Sequence, residues 1–255
     1  MSAQQTRIAL LGDVHANLPA LEAVLLHAQT QGVELIWNIG DFVGYGAFPD
    51  QVVKRIRKME IVSIIGNYDL KVLKFPKKDK KWHKNKHPLK WLAFKWAYEQ
   101  LSNKNRKYLR SLPDQKYLEV GDRWFLLVHG SPASNEEVLL PETPEKRLLE
   151  LSHLVQETHG AGVAAIICGH SHQAFTRQVE SSWFINTGSV GRPDDGDPRA
   201  AYAILDVHQD GLSVRHFRLA YDVEKAVNAI REHDLPEAFA QMLLQGRDLE
   251  TILKG

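Results

Sequence analysis

Five predicted strands of this sequence end in a segment in which glycine stands next to a carboxylate, amide or imidazole side chain. The five segments are Gly12-Asp13-Val14-His15, Gly40-Asp41, Gly66-Asn67, His129-Gly130 and Gly169-His170-Ser171-His172. Oxygen and imidazole ligands suit Mn, Fe, Zn, Co or Ni ions, and no thiolate stands among them to favour a structural zinc site. Seven such side chains exceed what one catalytic ion with an open position needs. They suit two ions that share a carboxylate, roughly 3.5–4 Å apart.

Asp41 is the expected shared ligand, because its strand lies between the two other strands that end in Gly-Asp and Gly-Asn. The other ligands divide into two sets, Asp13, His15 and His172 for one ion and Asn67, His129 and His170 for the other. Taken singly, a Gly-Asp pair or a lone histidine is more often a turn or a satisfied core residue. The prediction therefore depends on the five segments together.

The elements that must position these ligands alternate between strand and helix. Apolar, β-branched runs over Arg7–Leu11, Glu34–Ile39 and Ile61–Ile65 predict strands, each followed by one of the glycines. Helical patterns over Leu18–Thr30 and Pro49–Lys58 separate them. This order predicts a parallel β-α-β arrangement. Ligands then collect along the edge where the carboxyl ends of the strands meet.

The second half of the chain is predicted to consist mainly of strands. The expected strands are Gln115–Val120, Arg123–Val128, Val163–Cys168, Ala174–Val179, Trp183–Asn186, Ala200–Val207 and Leu212–Leu219. The expected helices are Pro144–Thr158 and two that begin near Val223 and Pro236.

The five segments together resemble the calcineurin-like metallophosphoesterases, over about Arg7 to Leu219. Asp13-Val14-His15-Ala16-Asn17 and Asn186-Thr187-Gly188-Ser189-Val190-Gly191-Arg192-Pro193 are similar to the small bacterial phosphodiesterase branch. The resemblance implies an α/β (α+β) fold, a four-layer αββα sandwich of two mixed β-sheets flanked by helices. It also implies two divalent or trivalent metal ions and hydrolysis of phosphoesters by a metal-activated water.

One position departs from the family pattern. Where much of the family has Gly-Asn-His, this chain has Gly66-Asn67-Tyr68-Asp69. The family's histidine protonates the leaving oxygen or binds phosphate. A phenol, with an ordinary pKa of about 10, donates a hydrogen bond but exchanges protons less readily at neutral pH. The departure favours activated or cyclic phosphodiesters and diphosphates over unactivated monoesters. The alternative is that Tyr68 only packs beside the site.

Roles for single residues follow from the ligand chemistry and the resemblance. Catalysis is expected to depend on Asp41, Asn67, Tyr68 and His129. Asn17, Tyr68 and Arg192 are the expected phosphate contacts, although Arg192 could instead brace the Gly-rich turn before Pro193. Asp194-Asp195-Gly196-Asp197 resembles a calcium loop in composition only, since it lacks the glutamate and flanking helices of one. It is predicted to be a surface turn.

Residues 71–110 form a basic segment within a nearly neutral chain. The whole chain has a formal charge of +1, whereas this segment holds fourteen Lys and Arg against two acidic residues, a net charge of +12. It also holds Trp82, Trp91 and Trp96, half of the six tryptophans. Such a charge indicates an anionic partner. Bases could stack on the tryptophans, at about 1–3 kcal/mol per base, or the tryptophans could be core residues beneath a solvated lysine face.

The basic segment directly follows Asp69, so it must begin at the edge that carries the site. We expect one domain over residues 1–255 with a helical cap inserted at about 71–112, overhanging the metals. A second cap helix is expected over Asn105–Arg110. The first would present an apolar face, with Trp91 and Phe94 off it, formed by Leu89, Leu92, Trp96 and Leu101.

Composition narrows the class of protein. The chain has 255 residues, 44% of them hydrophobic and 25% charged, which is typical of a globular domain and unlike a disordered chain. No apolar run approaches the roughly 18 residues of a membrane helix, and the polar N-terminus is unlike a signal peptide. Cys168 is the single cysteine, so an internal disulfide is excluded. We expect a cytoplasmic protein with no membrane partner.

These observations predict a metal-dependent phosphodiesterase whose substrate is a phosphorylated small molecule of the nucleotide type, either a phosphodiester or a diphosphate. One alternative is a nuclease that holds nucleic acid with the basic cap, and its activity would depend steeply on salt. Another is a protein-binding scaffold, like the retromer subunit that shares this fold and has lost catalysis. The complete ligand set argues against a scaffold, and Tyr68 argues for one. The substrate, the native metals and the oligomeric state are left open.

Overall fold

The computed structural model describes residues 5–254, in which ten strands and nine helices are found. The strands are β1 Thr6–Leu11, β2 Leu35–Asn38, β3 Val62–Ser63, β4 Gln115–Val120, β5 Arg123–Val128, β6 Ala165–Cys168, β7 Phe175–Val179, β8 Ser182–Asn186, β9 Ala200–His208 and β10 Gly211–Leu219. The helices are α1 Leu18–Thr30, α2 Pro49–Lys58, α3 Asn67–Asn85, α4 Pro88–Gln100, α5 Asn103–Ser111, α6 Glu145–His159, α7 Val223–Glu232, α8 Glu237–Gln245 and α9 Leu249–Ile252.

The strands form two five-stranded sheets, in the orders β10-β9-β1-β2-β3 and β4-β5-β6-β8-β7. Each sheet is mixed: β1, β2 and β3 are parallel, as are β5, β6 and β8, while β9 and β10 in the first sheet and β4 and β7 in the second pair antiparallel with their neighbours. The predicted α/β fold of two mixed sheets flanked by helices is confirmed. In both sheets the parallel strands end on the side where the glycine segments follow.

Alternate residues of the central strands face different layers, as the two-residue period of a strand requires. In β1, Ile8 and Leu10 pack between the two sheets, whereas Ala9 and Leu11 pack against α1 and α2. The same alternation in β6 divides its side chains between the other sheet and α6. The layers are therefore helix, sheet, sheet and helix. Burial on both faces explains why these strands are continuous apolar runs.

Helix α3 begins at Asn67, before the helical cap that the sequence analysis expects from about residue 71. The Gly66 N–H donates to the Asp69 carboxylate at 3.0 Å, which closes the helix N-terminus. The helix continues through Pro76 and the lysine-rich turns that follow. Proline and consecutive lysines hide this helix in the sequence, because they leave no clear apolar period. Only its buried positions, such as Val72 and Phe75, mark the face that packs.

The predicted apolar face of α4 is wrong. Phe94, expected off that face, is buried in the same cluster as Ala97, beneath α3. Leu89 and Trp96 instead pack, partly buried, with α7 and α8. Because α4 lies between two apolar clusters it buries two faces, and a single periodic stripe does not describe it. The short helix expected at Asn105–Arg110 is present as α5.

The tryptophans of the basic segment are half-buried packing residues. Phe75 lies 6.5 Å from Trp82 and 6.2 Å from Trp91 between ring centroids. The Trp91 indole donates to Asp79 Oδ1 at 2.9 Å, and the Trp96 ring lies 5.0 Å from His233. These contacts support the alternative in which the tryptophans belong to the core. The division into one domain with a cap at 71–112 stays a prediction.

Helices α7, α8 and α9 pack together over the loop that follows β2. Their apolar cluster includes Val227, Phe239 and Leu249 and takes in Tyr45 from that loop. Within residues 5–254, none of the helices combines the length and apolar character needed to cross a membrane.

Candidate metal centre

Five of the seven predicted ligands have backbone conformations that only glycine adopts easily. Their φ angles are 49° for Asp13, 46° for His15, 52° for Asp41, 65° for His170 and 59° for His172. Such a conformation costs on the order of 1–3 kcal/mol per residue and persists only where the surroundings enforce it. Backbone hydrogen bonds between the two loops do so here: the Asp13 N–H donates to Gly40 O and the His15 N–H to Asp41 O, each at 3.0 Å.

Two of the glycines are required because carboxylates pack directly against their backbone. A Cβ atom on Gly66 would lie 2.1 Å from Asp41 Oδ1, and one on Gly169 would lie 2.5 Å from Asp13 Oδ2. No side chain fits at either position without displacing a predicted ligand. Glycine in these segments therefore sets the distance between the loops and the carboxylates.

Asp13, His15 and His172 form one compact group of ligand atoms. Asp13 Oδ1 lies 3.3 Å from His172 Nε2 and 3.8 Å from His15 Nε2. The two histidine Nε2 atoms are 3.2 Å apart. All three residues are buried, and they are the set that the sequence analysis assigns to one ion.

Asp13, Asp41 and His129 form a second group. Asp41 Oδ2 lies 3.5 Å from His129 Nε2 and also 3.7 Å from His15 Nε2 in the first group. Asp41 Oδ1 accepts the Tyr68 N–H at 2.7 Å, which leaves Oδ2 facing the histidines. His129 Nδ1 donates to Ile39 O at 2.9 Å, so the lone pair of its neutral form is on Nε2, towards Asp41.

His170 and Asn67 lie beside the second group. Among residues 5–254, His170 is outside both compact groups; its ring centroid is 5.1 Å from that of His129, and it is partly exposed. The His170 N–H donates to Asp13 Oδ2 at 3.0 Å, which ties its loop to the first group. Asn67 is buried at the first position of α3.

Several buried atoms of these residues have no hydrogen-bond partner among the described residues: Asp13 Oδ1, Asn67 Oδ1 and His129 Nε2. An unpaired buried polar atom costs about 1–3 kcal/mol. A carboxylate oxygen, an amide oxygen and an imidazole nitrogen, all unpaired among the described residues, are the donors that a divalent cation satisfies. The residues present therefore fit metal ions.

Burial and neighbouring charges tune the ligands. Burial, with the charges of Arg192 and His172, lowers the pKa of His15 well below its ordinary value, which keeps the imidazole neutral and able to bind a cation. Burial would also lower the pKa of His129, but the Asp41 carboxylate outweighs it and raises that pKa to about 9.

Tyr68 lies directly beside the first group. Its ring centroid is 5.2 Å from that of His15, and its hydroxyl is 3.0 Å from the Tyr45 hydroxyl. The Arg192 guanidinium lies over both rings, 5.1 Å from Tyr45 and 5.9 Å from Tyr68. Burial, followed by the neighbouring Tyr45, raises the pKa of Tyr68 well above its ordinary value, so the phenol stays protonated. Tyr45 was missed by the sequence analysis, although it lies only four residues after Asp41, between two glycines.

Asn17 is occupied by internal hydrogen bonds. Its Oδ1 accepts the Ala20 N–H at 3.2 Å and caps α1, and its Nδ2 donates to Gly191 O at 2.9 Å and to the Tyr221 hydroxyl at 3.0 Å. These contacts favour a positioning role for Asn17, beneath the loop that carries Arg192. Its contact with phosphate stays a prediction.

Asp194 is a second residue that the sequence analysis missed. Its Oδ2 lies 3.4 Å from His172 Nδ1, where it can orient the imidazole and direct Nε2 at the first group. The neighbouring Asp195 and Gly196 are exposed, as the predicted surface turn requires. The sequence signal that could have identified Asp194 is its position two residues after Arg192, a predicted phosphate contact.

Comparison with known proteins identifies the family. The model of the calcineurin-like phosphoesterase superfamily domain matches residues 6–210, which contain all five ligand segments. This chain belongs to the calcineurin-like phosphoesterase superfamily. The resemblance noted in the sequence is thereby confirmed. Helices α7, α8 and α9 lie beyond the residues that the superfamily model matches.

Three relatives illustrate how far the similarity extends. An uncharacterized protein of Methanocaldococcus jannaschii is 32% identical over 260 residues, covering 95% of this phosphoesterase and 99% of the relative. The crystal structure of a metallophosphoesterase from Sphaerobacter thermophilus is 30% identical, with a TM-score of 0.71 over 94% of this chain and 99% of that chain. A hypothetical protein from Pyrococcus horikoshii OT3 shares the fold, with a TM-score of 0.83, 23% identity and coverage of 94% and 98%.

Proposed function

We propose that this phosphoesterase is a metal-dependent phosphodiesterase that uses two cations to hydrolyse nucleotide-type phosphodiesters or diphosphates. The position of Asp41 Oδ2 is the observation that carries the proposal. This single oxygen lies 3.7 Å from His15 Nε2 and 3.5 Å from His129 Nε2, so it faces both groups of ligands. A shared carboxylate oxygen between two ligand sets supports a site for a pair of ions.

The proposed ligands of the first ion are Asp13, His15 and His172, those of the second are Asn67, His129 and His170, and Asp41 is shared. Bound cations, with Mn among the candidates beside Fe, Zn, Co and Ni, would offset the charge of the phosphate and acidify the attacking water. The strained loops contribute by holding the ligands in place before the substrate arrives.

Tyr68 and Arg192 are the proposed contacts to the reacting phosphate. The protonated Tyr68 phenol is 3.0 Å from the Tyr45 hydroxyl, which can accept its hydrogen bond until a phosphate oxygen replaces it. Arg192 Nε is buried and has no hydrogen-bond partner among residues 5–254, which leaves a donor for an anion. A phenol donates a hydrogen bond but does not readily give up its proton at neutral pH, so the proposal favours substrates with good leaving groups.

The proposal retains two further predictions from the sequence. The enzyme would act in the cytoplasm on a phosphorylated small molecule, and helices α3, α4 and α5 would form the cap beside the metal centre. The half-buried tryptophans support a small substrate over a nucleic acid strand, because their rings are occupied by packing.

The bridging role of Asp41 can be tested with the Asp41→Asn variant. We expect the purified variant to hold at least one ion fewer per chain than the wild type. Its kcat/KM on bis-p-nitrophenyl phosphate with added Mn²⁺ should fall by more than about 10²-fold, since even residues that only orient metal ligands contribute about 10–100-fold. Asp122→Asn is the matched control, because Asp122 is 93% exposed in a turn away from the site.

Two outcomes would contradict the proposal. Full activity and full metal content in Asp41→Asn would exclude the shared carboxylate. A wild-type protein that binds two ions but hydrolyses none of a panel of phosphodiesters, cyclic nucleotides and dinucleoside polyphosphates would exclude the enzyme and favour the scaffold alternative.

A further inference from the structure

Three aromatic rings form a continuous row that leads away from the metal centre. Tyr68 stands beside His15, Phe94 lies 5.3 Å from Tyr68, and Trp82 lies 5.4 Å from Phe94 between ring centroids. We call these three residues the aromatic row. It connects the metal ligands to the surface of α3 and α4.

Two lysines lie over the aromatic row. Lys71 Nζ is 5.4 Å from the centroid of Tyr68, and Lys86 Nζ is 5.1 Å from Trp82 and 5.7 Å from Phe94. Ring faces attract an ammonium group and hold it in position without neutralising its charge. Lys71 also lies one helical turn after Asn67, so it shares a face of α3 with a proposed metal ligand.

The positive charge of this pair is only partly balanced. Lys71 Nζ lies 2.8 Å from Glu136 Oε1, whose side chain is 63% exposed, and the neighbouring Lys90 pairs with Glu250 at 2.7 Å. Lys86 forms no salt bridge within residues 5–254. Burial, together with the charges of Lys71 and Lys90, lowers its pKa, as expected where ammonium groups are crowded. Because the Glu136 carboxylate is exposed and Lys86 lies near other ammonium groups, an anion can bind between the two lysines.

The other lysines of α3 differ from this pair. Lys77 and Lys81, within α3, are exposed, and within residues 5–254 neither forms a cation–π contact with the aromatic row. Charge alone therefore does not single out Lys71 and Lys86. Their contacts with the aromatic row, which begins at Tyr68 beside His15, do.

We propose that Lys71 and Lys86 form a subsite for a second phosphate of the substrate, next to the phosphate held at the metal centre. This inference rests on the proposed function and narrows its substrate class to compounds with linked phosphates, such as nucleoside polyphosphate esters. In the free protein Lys71 forms a salt bridge with Glu136, and the incoming phosphate replaces the Glu136 carboxylate as its partner. A nucleic acid strand fits less well, because the ring of Trp82 is already covered by Phe94 and Lys86.

The test compares two substrates across matched variants at one ionic strength. Bis-p-nitrophenyl phosphate carries a single phosphate, and a dinucleoside tetraphosphate carries several. In the Lys71→Gln/Lys86→Gln double variant, kcat/KM should fall about tenfold or more on the tetraphosphate and less than about twofold on the simple diester, since charge-assisted hydrogen bonds are lost only with the former. Lys77→Gln/Lys81→Gln removes the same charge from the same helix and should behave as the wild type.

The Glu136→Gln variant separates a phosphate subsite from a merely structural role. Removal of the competing carboxylate frees Lys71, so kcat/KM on the tetraphosphate should rise by about twofold or more while the simple diester is unaffected. If Lys71 and Glu136 only stabilised the fold, Glu136→Gln would lower the activity on both substrates. That result, or equal losses on both substrates in the lysine variant, overturns the subsite. A larger loss on a single-stranded oligonucleotide than on the tetraphosphate would also overturn it, in favour of nucleic acid.

Binding without turnover distinguishes this inference from the proposed function. Inorganic tripolyphosphate, titrated calorimetrically into the metal-free protein, should bind the wild type about tenfold more tightly than the lysine double variant. If the wild type fails to hydrolyse any phosphodiester yet shows this difference, the proposed function is excluded and the subsite stands. If it hydrolyses the simple diester but shows no difference, the subsite is excluded and the proposed function stands.

Discussion

The predicted ligand side chains are held by strained loops, and several of their buried atoms are unpaired among the described residues. Asp13 and Asp41 have left-handed backbones, and each uses one carboxylate oxygen to accept a backbone N–H while the other faces the site. Their cost in backbone strain is offset by the backbone hydrogen bonds that join the two loops.

Replacing Tyr68 by histidine should restore the proton exchange that the phenol lacks. Imidazole, with an ordinary pKa of about 6.5, gives and takes a proton at neutral pH. We expect Tyr68→His to raise kcat on a phosphodiester with a poor leaving group by about tenfold or more, with little change on bis-p-nitrophenyl phosphate. The ratio of the two kcat values is the measurement.

Tyr68→Phe serves as the control for this exchange, since it keeps the ring over which Lys71 lies and removes only the hydroxyl. An unchanged ratio in Tyr68→His would show that another group already protonates the leaving oxygen.

Each ligand stands where one element ends and the next begins. The loop after β1 carries Asp13 and His15 and leads into α1, and the loop after β3 is so short that Asn67 is already the first residue of α3. Gly66, between strand and helix, brings the helix N-terminus against Asp41. The partial positive charge of that terminus favours the carboxylate and a phosphate beside it.

The Gly66→Ala substitution should push helix α3 away from the loop that carries Asp41. Its Cβ would lie 2.1 Å from Asp41 Oδ1 and 2.2 Å from the Asp41 backbone nitrogen, so either the ligand or α3 must move. We expect bound metal and kcat/KM to fall by about tenfold or more, with a loss of unfolding free energy of about 1–3 kcal/mol. Metal analysis and urea denaturation measure both effects.

Gly162→Ala is the matched control, because nothing lies within 4 Å of the added Cβ and the change should stay within about 0.5 kcal/mol. Equal behaviour of the two variants would mean that Gly66 does not set the spacing of the site.

The whole molecule builds the site from parts that are distant in the chain. The first sheet supplies Asp13, Asp41 and Asn67, the second supplies His129 and His172, and the apolar layer between the sheets aligns them. Helices α7, α8 and α9, beyond the residues matched by the superfamily model, close one side of the site. They do so through Phe239, whose ring lies 5.2 Å from that of Tyr45.

Removing the Phe239 ring tests how far these C-terminal helices support the molecule. Phe239 is 1% exposed, so Phe239→Ala should lower the free energy of unfolding by about 3–5 kcal/mol, measured by chemical denaturation. Leu253→Ala, at a residue that is 48% exposed, should change it by less than about 0.5 kcal/mol. A loss below about 1 kcal/mol in Phe239→Ala would show that α8 packs only loosely on the rest.

The sequence alone was enough to predict the family and the strands that precede the proposed ligands. The proposed ligand types follow from the identity of the residues. A buried strand that ends at glycine is a local pattern, which can be recognised without knowledge of the fold. For the same reason the short runs before Gly12 and Gly40 were read correctly as strands. The bounds of helix α3 were not predicted, because its proline and lysines leave no clear apolar periodicity, on which such a prediction depends.

Only the tertiary structure decided which atoms meet. That Asp41 presents Oδ2 to two histidines, that Asp194 supports His172, and that Lys86 lies over Trp82 follow from sheet register and helix packing. These contacts join residues through the geometry of whole layers, and no nearby residue in the chain signals them. The orientation of each of these side chains depends on the packing of elements that are distant in the chain. Such packing leaves no local pattern in a single sequence.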